Sequence, residues 1–331
     1  MKYLLSYKIF ESESEYRDFD DWDKMDVDEK KSKLFSIYPA IPLEKRASAV
    51  AIRKIRIAEG EPVSKLEDNT INFPDKKLID KLRWNQYFNS LIMSKEIRGH
   101  NFEGLIAGLY DGEFTKPGER GDLKIGDEKK VVSVKSLNDK NQSVVLGSIF
   151  NSLSDEQRQK LEIRNVNGEM LGYRSISTVF GKKTRIESEE DFRRSIWDAA
   201  FGGENNVDYF LIAYFVEADN DKGTSGTIFI YIFTNEEMYD FIKLTGLGAP
   251  KSGESKFQVR ISSTYKSYVQ NPITIKVPKI TKDDLDTIWN AESRKWSDRV
   301  FGKKISKKMR TDTIEDIMGD KDNISQRMSE D

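Results

Sequence analysis

Two runs, YFLIAYFVE from Tyr209 and TIFIYIFT from Thr227, constrain the fold more than any other part of the chain. Both concentrate aromatic and β-branched residues with no regular polar alternation. That is the pattern of strands covered on both faces. A sheet containing them needs helices on each side. The second run continues into TNEEMYDFIKLTG, where Thr234 and Glu237 have capping-box spacing and Gly246 suits a helix stop. FQVRISS, from Phe257, alternates like a strand with one wet face. ITIKVPKI supplies a further strand, which Pro278 confines to an edge or an end.

The helices are legible upstream. After Pro74, the segment DKKLIDKLRWNQYFNSLIMSKEI carries an apolar stripe of Leu78, Ile79, Leu82, Leu91 and Ile92. In NFEGLIAGLYDG, the residues Phe102, Leu105, Ile106 and Leu109 share one helical face, and Asp111-Gly112 ends the helix. Gly104 and Gly108 let this helix approach another backbone closely. Asn167-Gly168 marks a hairpin turn within a long mixed segment. The expected fold is α/β, a central mixed sheet flanked by helices. Residues 1–35 read as a leader and acidic segment, 36–96 as a helical N-terminal region, and 97–290 as the α/β core with an insertion at about 140–205. Residues 291–331 read as a tail, basic and then acidic.

Charge is spread unevenly. The formal net charge is −2, so composition alone does not mark a nucleic-acid binder, yet Ala291–Arg310 holds eight bases against two acids. The chain has no cysteine, which removes disulfides, thiolate metal sites and cysteine nucleophiles. Its single histidine, His100, removes multi-histidine zinc sites. No apolar run reaches the ~18 residues of a membrane span. MKYLLSYKIF is too short and interrupted for a secretory signal, so the cytoplasm is the default expectation.

The chemistry concentrates in GDLKIGDEKKVVSVKS, Gly121–Ser136. It reads as a hairpin with an acid on one arm and a lysine on the other. A two-residue turn and a four-residue loop both place Asp122 opposite Ser133, with Lys135 one pleat further on the same side. A three-residue loop would not. An acid and an amine among Leu123, Ile125, Val132 and Val134 are costly to bury unless paired. Two readings follow: a cross-strand ion pair at a sheet edge, or a metal site in which a carboxylate binds Mg²⁺ and the lysine acts on water or phosphate. The second needs another acid. Glu103, on the helix directly before the hairpin, is the candidate; its alternative is a solvent-facing glutamate.

A helix carrying Glu, a strand carrying Asp and a paired strand ending in Ser-Val-Lys resembles the PD-(D/E)XK nucleases, the restriction-endonuclease-like fold. That family's core runs helix, three strands, helix, strand; the matching part here spans about His100 to Ser136, and the strands at 209 and 227 with the helix at 235 would complete it. The resemblance implies catalytic roles for Glu103, Asp122 and Lys135, and Mg²⁺ held by Glu103, Asp122 and the backbone carbonyl of Val134. Two departures stand out. The family's Pro-Asp is Gly121-Asp122, and its second acidic position is Ser133. Glu103, or less directly Glu113, Glu119 or Asp139, would have to make up for the serine; otherwise the site binds nucleic acid without cutting it.

The implied substrate is DNA. Lys124 is placed to meet a phosphate, and the basic segment with Lys303, Lys304, Lys307, Lys308 and Arg310 to hold the backbone. Trp296 and Phe301 either stack on bases or pack. FGKKTR at Phe180 and FRRSIW at Phe192 are lesser basic patches. A restriction-type enzyme is expected to be a homodimer, although no segment marks an interface. The opening MKYLLSYKIFESE is similar to N-termini of large tailed-phage proteins. The expected function is therefore a Mg²⁺-dependent DNA endonuclease, restriction-like or phage-encoded. The alternatives are a non-catalytic phage structural or DNA-processing protein on a degenerate nuclease fold, located in the virion with other particle components, and an RNA-directed nuclease. GLGAPKSGES, from Gly246, lacks the ending of a phosphate loop and reads as an ordinary loop.

Overall fold

A computed structural model describes residues 22–68, 70–71, 73–94, 98–137, 143–148, 153–173, 179–180, 190–203, 206–216, 226–245, 256–260 and 272–295. The chain divides into two compact units. One comprises residues 40–279; the other joins 22–39 to 280–295 among the described residues.

The smaller unit pairs helix α1 (Val27–Ile37), started by an Asp26/Glu29 capping box, with a helix over 282–295. Trp22 stacks on Trp289 with ring centroids 4.3 Å apart. Asp286 accepts hydrogen bonds from Trp22 Nε1 at 2.8 Å and Lys30 Nζ at 2.6 Å. Lys30 is almost wholly buried, and this partner makes its charge tolerable. The same ammonium holds the Asp286 carboxyl below the usual carboxylate range.

The larger unit runs α2 (Lys45–Glu59), α3 (Leu78–Met93), α4 (Arg98–Leu109), β1 (Glu113–Phe114), β2 (Leu123–Ile125), β3 (Lys130–Ser136), β4 (Ser143–Ser148), α5 (Asp155–Leu161), β5 (Glu162–Arg164), β6 (Met170–Tyr173), α6 (Glu190–Phe201), β7 (Tyr209–Val216), β8 (Thr227–Thr234), α7 (Asn235–Thr245), β9 (Lys256–Arg260) and β10 (Ile273–Lys276). Six strands form one mixed sheet in the order β1-β2-β3-β7-β8-β10. Only β3 and β7 are parallel in it.

The sheet is covered on both faces, as β7 and β8 require. On one side, Leu211, Ala213, Phe215, Ile228 and Ile230 meet α2, α3 and α4. On the other, Phe210, Ile212, Tyr231 and Phe233 meet α6 and α7. The expected face of α4 is buried throughout, at Phe102, Leu105, Ile106 and Leu109. Gly104 and Gly108 mark its crossing with α2. A Cβ on Gly104 would lie 2.5 Å from the Lys45 carbonyl oxygen, and one on Gly108 would lie 2.6 Å from Ile52 Cβ. The α7 capping box forms as read, with the Thr234 N–H donating to Glu237 and the Glu237 N–H to Thr234.

Three details differ from the expectations. Helix α3 starts at Leu78 rather than beside Asp75; its leading N–H groups at Lys76 and Lys77 donate to Glu59, at the end of α2, at 3.0 and 3.1 Å. FQVRISS does not join the main sheet, since β9 pairs with β4 in a separate ribbon. Segment 140–205 is more than an insertion: it contains α6, the helix on the crossover from β3 to β7. β10 lies at the sheet edge, where Pro278 can follow it without costing a ladder bond. Among the described residues, no helix is long and apolar enough to cross a membrane.

Candidate functional site

Strand β3 outruns its hairpin partner. β2 pairs with it from Ile125↔Lys130 to Leu123↔Val132, closing a four-residue loop, and then stops. Even-numbered residues of β3 turn their backbone groups toward β2: Val132 accepts from the Asp122 N–H at 2.8 Å. The groups of Val134 therefore have no strand to meet. The Asp122 side chain replaces it. Its Oδ2 accepts the Val134 N–H at 2.7 Å, Lys135 Nζ at 2.7 Å and the Ser133 hydroxyl at 3.3 Å. Lys135 Nζ also donates to the Val134 carbonyl at 3.1 Å. The acid and the amine remain partly open, each side chain 23% exposed.

Gly121 makes this possible. It has φ +72°, and a Cβ there would lie 2.5 Å from Val131 Cγ1. Proline, with φ near −65°, cannot take this conformation. A Pro-Asp dipeptide would therefore not fit here.

The other side of β3 offers an internal comparison. Odd-numbered residues face β7, and Asp208, one residue before β7, caps the beginning of β3. Its Oδ2 accepts the Val131 N–H at 2.7 Å, and its N–H donates to the Val131 carbonyl at 2.8 Å. Its Oδ1 accepts Asn206 Nδ2 at 2.7 Å. Asp208 thus caps this strand with neutral hydrogen-bond partners, while the Lys130 ammonium acts on it only through space. Asp122 instead pairs directly with Lys135, the cross-strand ion pair at the open edge.

Glu103 lies in a second cluster. It is 11% exposed at its side chain and pairs with Lys45 Nζ at 3.0 Å, while His100 Nδ1 lies 3.7 Å from its other oxygen. His100 itself is largely exposed. Two contacts bring this cluster toward the hairpin. Gly99, in the first turn of α4, backs onto Ser136 of β3; a Cβ there would lie 3.6 Å from the serine oxygen. Lys45 Nζ also lies 5.3 Å from the ring centroid of Phe114, whose strand β1 pairs with β2, and the next N–H, of Thr115, donates to the Asp122 carbonyl at 3.3 Å.

The two clusters nevertheless approach from different directions. Val132 and Val134 belong to the core shared with α2 and α4, whereas Val131 and Leu137 face the opposite core. Alternation puts Ser133 and Lys135 on that opposite face. Lys135 and Glu103 can meet only around the open edge of β3, where Asp122 sits. The structure thus joins Asp122, Lys135 and Val134 directly. Glu103 belongs to the separate Lys45 cluster, with no side-chain bridge to Asp122 among the described residues. Nor do these residues include a group of three or more His, Asp or Glu side chains placed to hold a metal.

The remaining acids have other partners. Lys124 pairs with Glu119 at 2.9 Å and holds that carboxyl below its usual range; Lys129 does the same to Glu113 at 2.6 Å. Lys124 thus forms a surface salt bridge with Glu119. The patch at Phe192 is spent on packing. Arg194 binds Glu236 through two nitrogens at 2.6 and 2.5 Å, Arg193 donates to the Val179 carbonyl, and Trp197 is fully buried. Lys303, Lys304, Lys307, Lys308 and Arg310 lie outside the described residues, as do Trp296, Phe301, Asp139, most of FGKKTR and the loop from Gly246. Sequence reading missed Asp208, Lys45 and Phe114, whose partners lie far off in the chain.

No protein-family model, no curated protein and no solved structure matches this chain.

Proposed function

We propose that the chain is a Mg²⁺-dependent endonuclease that hydrolyses DNA phosphodiester bonds on a restriction-endonuclease-like core. One observation carries the reading. A carboxylate, a backbone carbonyl and an ammonium group converge where β3 loses its neighbour, at a partly open edge. The element order gives support. With β4, α5, β5 and β6 set aside as intervening elements, helix α4, strands β1, β2 and β3, helix α6 and strand β7 follow the family's sequence of helix, three strands, helix, strand, with α6 where the helix at 235 is expected.

The donor set suits a hard cation. Asp122 directs all three of its side-chain contacts to Oδ2, and among the described residues none reaches Oδ1. Asp122 and the Val134 carbonyl offer only oxygens, as Mg²⁺ prefers, and Glu103 would join them only by leaving Lys45 and reaching around the open edge. When bound, Mg²⁺ supplies charge neutralisation at the scissile phosphate and an acidified water. The chain's own residues do the rest. The Val134 N–H and Lys135 fix the Asp122 carboxylate in one orientation. Lys135 positions the attacking water and offsets charge gathering on the phosphate oxygens. Ser133, buried against Asp122, orients it without adding charge.

A second reading, a non-catalytic DNA-processing or phage-particle protein, is favoured by a specific feature. Ser133 occupies the acidic position while Glu103 is engaged by Lys45. Supercoiled plasmid incubated with Mg²⁺ and wild-type protein, beside Asp122→Asn and Lys135→Ala, separates the two. The nuclease reading expects nicking by wild type and a loss of about 10²–10⁴-fold in each variant. Equal cleavage by all three proteins, or none by wild type on duplex, single-stranded and RNA substrates, rejects it.

A further inference from the structure

We infer that Arg46, stacked on Phe114, is the phosphate contact through which the site holds a nucleic-acid strand. This deepens the nuclease reading and rests on it. Arg46 is the second residue of α2 and is exposed. Its guanidinium carbon lies 5.4 Å from the Phe114 ring centroid. Among the described residues no acid pairs with it. Glu44, two residues before it, accepts the backbone N–H groups of Arg46 at 3.1 Å and Ala47 at 2.7 Å.

The surrounding cations differ. Lys45 is tied to Glu103, Arg53 to Asp111, Lys124 to Glu119 and Lys129 to Glu113. A guanidinium within cation–π reach of a ring keeps its N–H donors available for phosphate oxygens.

Position identifies the ligand. Phe114 pairs with Leu123, the residue after Asp122, and Lys45 on the same ring holds Glu103. Phe114 and Leu123 face the core shared with α2, so a guanidinium at this ring lies on the Glu103 side of the sheet edge, where a strand reaching Asp122 around that edge passes. The contact is to backbone, so it carries no sequence preference. It also supplies a described phosphate contact where Lys124 is already paired.

The test uses Asp122→Asn protein as background, so that the probe stays intact, and a fluorescein-labelled DNA duplex followed by anisotropy over a salt series. Adding Arg46→Ala should weaken binding roughly tenfold and reduce the slope of log affinity on log salt by about 0.7–0.9, one phosphate's share. Arg46→Lys should keep the slope and recover part of the affinity. Lys54→Ala, an exposed cation further along α2, is the control. Unchanged binding in Arg46→Ala, or an equal loss in Lys54→Ala, overturns the inference and leaves the nuclease reading standing. A background protein that binds no nucleic acid at all overturns both.

Discussion

Asp122 and Asp208 cap opposite sides of the same strand, and their surroundings differ. Each accepts a β3 backbone N–H at 2.7 Å, Val134 for the first and Val131 for the second. Asp208 is completed by a neutral amide, Asn206, and by backbone groups that continue into β7. Asp122 is completed by an ammonium group and a hydroxyl beside a carbonyl that no strand claims. The first arrangement finishes a ladder. The second finishes one and leaves charge and oxygen ligands exposed at its end. Asp208 meets a cation, Lys130, only through space, whereas Asp122 holds Lys135 in a direct ion pair at an open edge.

Paired substitutions test that contrast most strongly. Asp122→Ala and Asp208→Ala should each lower stability by about 1–3 kcal/mol, since each strands a buried N–H. Only Asp122→Ala should reduce plasmid cleavage by about 10²-fold or more. Urea melts and nicking assays on both proteins decide this, and equal activity losses would erase the distinction. Magnesium should sharpen it next. At about a hundredfold excess over its dissociation constant the ion should stabilise wild type and Asp208→Ala by about 2.7 kcal/mol, read as a rise in Tm, but not Asp122→Ala. Gly121→Ala comes third: the left-handed backbone and the crowding at Val131 should cost about 1–3 kcal/mol and disturb Asp122, with no counterpart on the Asp208 side. Ser133→Ala is the mildest, losing a 3.3 Å hydrogen bond worth about 0.5–1.5 kcal/mol while leaving cleavage within a few-fold of wild type.

What could be read from the sequence was local. Two-residue alternation fixed which residues of Gly121–Ser136 face each other, so the meeting of Asp122 with Ser133 and Lys135 followed once the loop had four residues. The uninterrupted apolar runs at 209 and 227 required a sheet covered on both faces, and one is present. Alternation says nothing about partners brought together by tertiary folding. Asp208 reaches Val131 across 77 residues and Lys45 reaches Glu103 across 58. The role of α6 was hidden for a related reason: a crossover helix and an inserted helix have the same periodicity, and only the parallel pairing of β3 with β7 tells them apart. Lys124 looked available because its acid, Glu119, lies in a loop of no fixed period.

The parallel pairing of β3 with β7 also sets an order of assembly. The β2–β3 hairpin has its partners within a few residues and can close in microseconds. The other side of β3 must wait until the whole crossover has been made and β7 arrives, a closure with a large entropic cost. During synthesis the strand that carries Lys135 therefore exists first as half of a lone ribbon, with one flank open to any other extended chain. A lone hairpin is only marginally stable, so the acid–amine pair gains a lasting frame once β7 pairs with β3.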